Sequence, residues 1–344
     1  MPCNFWSFYM RAVGYFTSLP VTDPKALEDV TVPEPVATGH DIVVDVKAVS
    51  VNPVDTKVRK RSAPAGGAKV LGYDAAGVVR AIGPDAAGLF KVGDEVWYAG
   101  AIDRPGSNAE RQAVDARIVG HKPASLDWAE AAVLPLTAIT AWEMLFDRLD
   151  VARPVPGAAA AILIIGGAGG VGSIAIQLAR QLTGLTIIAT ASRAETQAWC
   201  RNMGAHHVID HSQPLTPQIA ALGLGAPGLV FCTSNTQPYG PDIAALIAPQ
   251  GRLGLIADGL DMSPFKTKSI SFHWEFMFTR PVEKTSDISE QARLLDAVAR
   301  LVDDGKLRTT LTKRMGKINA ANLIAAHAAL EEGRMIGKLA LEGW

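Results

Sequence analysis

The chain has 344 residues, 48% hydrophobic and 19% charged, with 33 basic against 34 acidic side chains and a formal net charge of −1. That much apolar material supplies two cores and excludes a disordered chain. The balanced charge excludes a basic surface for nucleic acid or an anionic membrane, so the expected partner is a small molecule.

In chain order, MPCNFWSFYM lacks the basic head and long apolar core of a signal peptide. Met10 makes a natural start, with residues 1–9 an extension and Arg11–Tyr15 a first strand. Asp41–Val49 (DIVVDVKAV) alternates as a half-buried strand does, and Val78–Val79 and Glu95–Trp97 read as further short strands. Turn signals such as Pro84-Asp85 and Pro105-Gly106 punctuate them, and a small antiparallel barrel fits. Ser125 to Ala131 starts a helix with Ser125 as cap candidate, and Thr137–Leu149 is an apolar-faced helix. Arg153-Pro154-Val155-Pro156-Gly157 is a linker candidate.

From Ala161 strands and helices alternate: Ala161–Ile165, Ser173–Thr183, Thr186–Ala191, Ala194–Met203, His207–Ile209, Gly228–Cys232, Ile243–Ala248 and Arg252–Ile256. That order predicts an α/β doubly wound parallel sheet of Rossmann type. Residues 269–278 (SISFHWEFMF) read as one more strand, apolar enough for a dimer edge. An amphipathic helix, Ile288–Asp303, and a tail with a strand, the helix Ala320–Glu332 and the strand Gly337–Leu341 complete the chain. No apolar stretch approaches the roughly 18 residues of a membrane span. Cys3, Cys200 and Cys232 are scattered and odd in number, which fits a reducing, cytoplasmic setting and no disulfide framework.

Gly167-Ala168-Gly169-Gly170-Val171-Gly172 stands between an apolar strand and an apolar-faced helix. This is G-x-G-x-x-G in the setting dinucleotide binding needs. Gly167 permits the turn, Gly169 lets backbone approach a pyrophosphate, and Gly172 lets helix and strand pack closely. The first helical N–H groups, from Gly170 and Val171 onward, point at the phosphates. An acidic residue that would bind the ribose 2′-hydroxyl of NAD is missing at Ala191. Ser192 and Arg193 follow instead, and a planar cation suits the 2′-phosphate of NADPH.

With these residues in view the chain resembles the medium-chain dehydrogenase/reductase superfamily, and within it the zinc-free quinone oxidoreductase branch. The stretches that carry the resemblance are Val51-Asn52-Pro53-Val54-Asp55-Thr56, Leu71 to Val79, Leu134 to Ala138, the glycine turn, and Glu332-Gly333-Arg334-Met335-Ile336-Gly337-Lys338. The resemblance implies a GroES-like catalytic domain over 1–136 and 306–344, a Rossmann domain over 137–305, and a substrate cleft between them. It also implies that Arg193 and the residue at His211 contact the 2′-phosphate, His211 replacing a tyrosine of that branch. Lys338 joins the cofactor-binding set, and a homodimer is implied.

Zinc alcohol dehydrogenases carry their ligands at the positions of Asn52, of Tyr73 in Gly72-Tyr73-Asp74, and near Pro135 and Leu136, so no metal is expected here. The four-cysteine lobe of that family has no counterpart in Trp97–Asn108. His206, His207 and His211 cluster near Cys200, but adjacent strand residues face opposite ways. Without a Lewis acid, the suitable acceptors are quinones and activated C=C bonds (enones, enals), whose reduced forms are already stabilised. Asn52, Tyr73 and Thr137 are the candidate catalytic donors, with Lys57 a weaker one. The resemblance implies that Asp55 and Asp74 organise the cleft and that the residues near Thr137 and Thr140 lie on the nicotinamide side, and His273 and Trp274 are expected to form a rim. The leading expectation is an NADPH-dependent, zinc-independent quinone or enone reductase. A zinc-dependent alcohol dehydrogenase and a non-catalytic NADPH-binding sensor remain as alternatives.

Overall fold

A computed structural model describes residues 9–64 and 66–344. The extension expected over residues 1–9 therefore falls, except for Tyr9, outside the described residues. The chain forms two compact units: Met1–Leu136 with Phe278–Trp344, and Thr137–Met277.

In the first unit the alternating segment Asp41–Ser50 is the hub of a seven-stranded sheet. It pairs antiparallel with Ala75–Ile82, with Arg111–Asp115 and with the C-terminal strand Lys338–Glu342. A three-stranded sheet orders Glu28–Pro33, Tyr9–Tyr15 and Lys69–Val70. The strand Glu28–Pro33 escaped sequence reading because no long apolar residue marks it.

The chain returns to this unit at Phe278, not at 306 as the resemblance implied. The reason is the helix Glu290–Asp303. Its buried face (Leu294, Leu295, Val298, Val302) serves the first unit's core. Asp296 Oδ1 accepts from His121 N at 2.8 Å, and Asp303 Oδ1 from Ser125 N at 2.9 Å. That bond also corrects the predicted cap: Ser125 is held by Asp303. The helix Trp128–Ala132 is instead capped by Asp127, with Glu130 N donating to Asp127 Oδ1 at 2.8 Å and Asp127 N to Glu130 Oε2 at 3.1 Å.

In the second unit six parallel strands run in the order His207–Ile209, Thr186–Thr190, Ala159–Ile165, Pro227–Cys232, Arg252–Leu255, Ser271–Trp274. The first strand in sequence lies at the centre, and the order reverses beside it. That reversal is the switch point at which doubly wound sheets bind ligands beyond their carboxyl ends. The strand predicted over 269–278 is confined to Ser271–Trp274. One further expectation needs correction. The helical stretch Trp128–Arg148 is, by length and composition, apolar enough to cross a membrane, and 83% of its most apolar window is buried inside the protein.

A buried histidine makes the first unit's stability sensitive to acid. On the helix Ala320–Glu331, His327 is fully enclosed, and Arg59 Nε donates to its Nδ1 at 3.3 Å. Burial, reinforced by Arg59 and Lys60, holds the imidazole down at about 3. An unfolded histidine takes its proton near pH ~6.5, so the unfolded state binds protons that the folded state refuses. Stability from this group is complete above that pH and is lost as pH falls from there toward 3. His327→Gln is expected to flatten the fall in urea-derived stability between pH 7 and 5 by about 2 kcal/mol, at ~1.4 kcal/mol per unit of pH below ~6.5. Equal slopes for the two proteins would contradict the assignment.

Candidate active site

The nucleotide turn follows the strand Ala159–Ile165, and the helix Gly170–Leu182 leaves it. Gly166, which the sequence reading did not single out, has φ +81° and is where the chain turns. A Cβ there would lie 2.7 Å from Thr233 Oγ1. Gly167 has ordinary φ, and its missing side chain makes room for Ala189, whose Cβ would be 2.8 Å away. The turning role assigned to Gly167 therefore belongs to Gly166, while Gly167 serves packing. Gly172 holds its expected role, since a Cβ would meet Gly166 O at 2.3 Å. Gly169 is different again: the nearest atom to a Cβ there is Gly166 O at 3.6 Å, so its bareness serves no internal packing.

Neighbouring loops converge on the same end of the sheet. Thr190 Oγ1 accepts from Gly166 N at 3.0 Å and meets His211 Nδ1 at 3.1 Å, while Thr190 O accepts from Gly167 N at 3.1 Å. Ser192 and Arg193 follow that strand, and Arg193 enters the helix Ala194–Met203 with its Nε 2.6 Å from Glu195 Oε1. The glycine turn, Ser192, Arg193 and His211 thus share one rim. His206 faces elsewhere, accepting from Ile187 N at 2.9 Å. No group of three or more His, Cys, Asp or Glu able to hold a metal occurs among the described residues. Thr137 and Thr140 are buried on the helix Pro135–Trp142. His273 and Trp274 lie on the edge strand Ser271–Trp274.

The first unit holds a buried polar cluster that sequence reading only half assembled. Asn52 caps the helix Pro53–Arg61, and its N–H donates to Asp55 Oδ2 at 2.8 Å. Asp55 Oδ1 accepts from Gly72 N at 3.0 Å. Gly72 has φ +117°, and a Cβ there would lie 2.5 Å from Ser107 Oγ and 2.7 Å from Asn108 N, so no other residue fits this turn. Asp74 accepts from Leu136 N at 2.8 Å, from Asn52 Nδ2 at 2.8 Å and from Lys338 Nζ at 3.1 Å. Lys338 also donates to Asn52 Oδ1 at 2.5 Å and to Val51 O at 3.0 Å. All three ammonium hydrogens are engaged inside this unit, which leaves none for a direct cofactor bond. Lys57 is exposed on the same helix and outside the cluster.

The electrostatics follow from burial. Desolvation pushes Asp55 up to about 7, against the pull of the Asn52 and Gly72 N–H groups and of Lys338. Desolvation likewise raises Asp74, and it lowers Lys338 against the attraction of Asp74. Between the two carboxylates' neighbours stands Tyr73, 0% exposed and edge-on to Phe278 at 5.4 Å between ring centres. Burial, then the Asp55 charge, raises its phenol, and Tyr73 Oη has no hydrogen-bond partner among the described residues.

A model of the alcohol dehydrogenase GroES-like domain matches residues 38–140, and one of the zinc-binding dehydrogenase matches residues 170–294. A zinc-type alcohol dehydrogenase-like protein of Staphylococcus aureus (strain MSSA476) is 40% identical over 96% of this chain and 99% of its own length. The chain is a medium-chain dehydrogenase/reductase. A solved structure of this family, described as a candidate zinc-dependent alcohol dehydrogenase from Rhizobium etli CFN 42, is 62% identical, with TM-score 0.97 over 98% of this chain and 99% of that one. The quinone oxidoreductase from Coxiella burnetii is 26% identical, with TM-score 0.80 over 98% and 100%. The medium-chain dehydrogenases/reductases are oxidoreductases that use a nicotinamide cofactor, and the glycine rim and the GroES-like unit described above are their two parts.

Proposed function

We propose that this chain is an NADPH-dependent, zinc-independent reductase of quinones or activated C=C bonds. The observation that carries the reading is Tyr73 Oη: a buried phenol donor with no acceptor among the described residues. Tyr98 Oη and other buried groups are likewise unpaired, and Tyr73 is singled out by its place in Gly72-Tyr73-Asp74, where the zinc-dependent relatives carry a ligand, which suits a donor to a bound oxygen. When bound, NADPH supplies the hydride. Tyr73 then holds the acceptor's oxygen as negative charge reaches it, and Asn52, fixed by Asp74 and Lys338, presents its remaining amide hydrogen to the same oxygen. Thr137 is assigned to the nicotinamide side.

The residues at the zinc-ligand positions do not fit zinc. Asn52 has its amide oxygen against an ammonium and its nitrogen against a carboxylate. Tyr73 is a phenol whose ionisation burial opposes. A catalytic zinc needs deprotonated nitrogen, sulfur or carboxylate ligands, but Asp55 already accepts from two backbone N–H groups and Asp74 from the Lys338 ammonium.

The direct test incubates purified protein with NADPH and a panel of quinones, enones and simple alcohols, following absorbance at 340 nm. Turnover of quinones or enones but not alcohols is expected, and no loss with any quinone or enone overturns the reading. About one zinc per chain by elemental analysis would point to the alcohol dehydrogenase instead. Tight NADPH binding without any turnover would point to a sensor.

NADPH rather than NADH is proposed from Arg193 and Ser192 at the rim. Arg193→Ala is expected to weaken NADPH binding about 10- to 100-fold, the value of a charge-assisted bond, and to leave NADH binding within about twofold. Equal losses for both cofactors would deny Arg193 contact with the 2′-phosphate. The proposal includes a homodimer through the edge strand Ser271–Trp274 and the residues just after it, with Trp274 45% and Phe276 52% exposed.

A further inference from the structure

Within the buried polar cluster of the first unit, Lys338 is the one member that the C-terminal strand supplies. Lys338 is 4% exposed and 286 residues from Asn52, yet its ammonium meets three oxygens: Val51 O, Asn52 Oδ1 and Asp74 Oδ2. Strand pairing delivers it. Lys338 begins the strand Lys338–Glu342, whose Ala340 is opposite Ser50 at the end of the hub strand, two residues before Asn52. Three donors for three acceptors leave the ammonium saturated.

A primary amide has two ends of nearly equal shape, and only its partners decide which end faces where. At Asn52 the ammonium accepts no hydrogen bond, so it dictates that Oδ1 faces Lys338. Nδ2 then faces Asp74 and gives one hydrogen to Oδ2 at 2.8 Å. The second hydrogen has no acceptor among the described residues. The positive charge at Oδ1 polarises the amide, which strengthens the N–H on its other side as a donor.

We propose that Lys338 is a positioning residue whose internal ammonium, held against Val51 O, Asn52 Oδ1 and Asp74 Oδ2, locks and polarises the Asn52 amide as a donor to the acceptor's oxygen. The inference rests on the reading of this unit as the site of a zinc-free reductase. It accounts for a buried cation whose hydrogens are all spent inside the protein. Lys338 acts through Asn52 and touches neither cofactor nor acceptor.

The test is a cycle of Lys338→Met, Asn52→Ala and the double variant, with NADPH and a quinone. Lys338→Met is expected to lower kcat at least tenfold while the NADPH dissociation constant stays within twofold. In the Asn52→Ala background the same change should cost less than threefold, because the group it acts through is gone. A full tenfold loss in both backgrounds overturns the proposal, as does wild-type kcat in Lys338→Met. Weakened NADPH binding with unchanged kcat would make Lys338 a cofactor ligand and also overturn it.

A second readout needs no turnover. Hydrogen exchange of the Asn52 side-chain amide, identified by the NMR signals missing in Asn52→Ala, is expected to accelerate at least tenfold in Lys338→Met, and unchanged exchange refutes the lock. A wild-type protein that reduces no quinone or enone, yet shows this acceleration, fails the function and keeps the lock. If Lys338→Met does not fold, Lys338→Ala refolded with propylammonium replaces it. Saturable recovery of native structure and amide protection by the ammonium, and not by propanol, is then expected, and equal recovery with propanol overturns the role of charge.

Discussion

Tyr73→Phe is expected to lower kcat for quinone or enone reduction by about 10²- to 10³-fold, the loss that follows removal of one donor to a developing oxyanion. KM should change little, because the bond tightens only as charge reaches the oxygen. The same substitution is expected to stabilise the protein. Tyr73 Oη is buried without a partner among the described residues, and an unsatisfied hydroxyl costs about 1–3 kcal/mol, so deleting it in a ring of the same shape removes that cost. The edge-on packing against Phe278 survives in phenylalanine. Kinetics and a thermal melt therefore move in opposite directions. An active Tyr73→Phe enzyme would show that the hydroxyl serves no acceptor, and one that is both inactive and less stable would show that it serves the fold.

The second large effect separates two glycines of one motif. Gly169→Ala places a methyl 3.6 Å from the nearest atom, Gly166 O, on backbone at φ −74° that alanine adopts freely. The protein should fold with stability within about 1 kcal/mol of the parent, the cost of alanine at a helix cap. NADPH binding should weaken at least tenfold by fluorescence titration, because the methyl fills the space left for a pyrophosphate. Gly172→Ala meets Gly166 O at 2.3 Å and Gly167 Cα at 2.8 Å, both backbone atoms that cannot swing aside. It should lose about 1–3 kcal/mol of stability whether or not cofactor is present. Unchanged NADPH affinity in Gly169→Ala would contradict the assignment of this rim to the cofactor.

The two units differ in how much of them could be read from residues alone. The nucleotide unit was legible because its signals are local. A strand, a glycine turn and a helix follow one another within 24 residues, Ala159–Leu182, and apolar periodicity marks each. The division of labour among the glycines was not legible. Whether a residue turns or packs depends on what its Cβ would strike, and Thr233 and Ala189, which decide the matter at Gly166 and Gly167, arrive on other strands. The cap at Asp127 was open to reading as D-x-x-E. Ser125 looked equivalent until Asp303, 178 residues away, claimed it.

In the catalytic unit, Asn52, Asp55, Tyr73 and Asp74 stood out as residue types at matched positions, but nothing linear joins them to Lys338. The domain return at Phe278 was hidden for a related reason. The helix Glu290–Asp303 is amphipathic in either unit, and periodicity says which face is buried without saying against what.

By itself, then, the order of residues determined the two unit types, the doubly wound sheet and the dinucleotide turn, because each depends on local periodicity and on turn residues close together in the chain. Only the tertiary structure decided that Gly166 makes the turn, that Tyr73 keeps an unpaired hydroxyl, and that the Lys338 ammonium is buried against Asn52 and Asp74. Those three are facts of proximity and desolvation, which strand pairing sets between residues far apart in the chain.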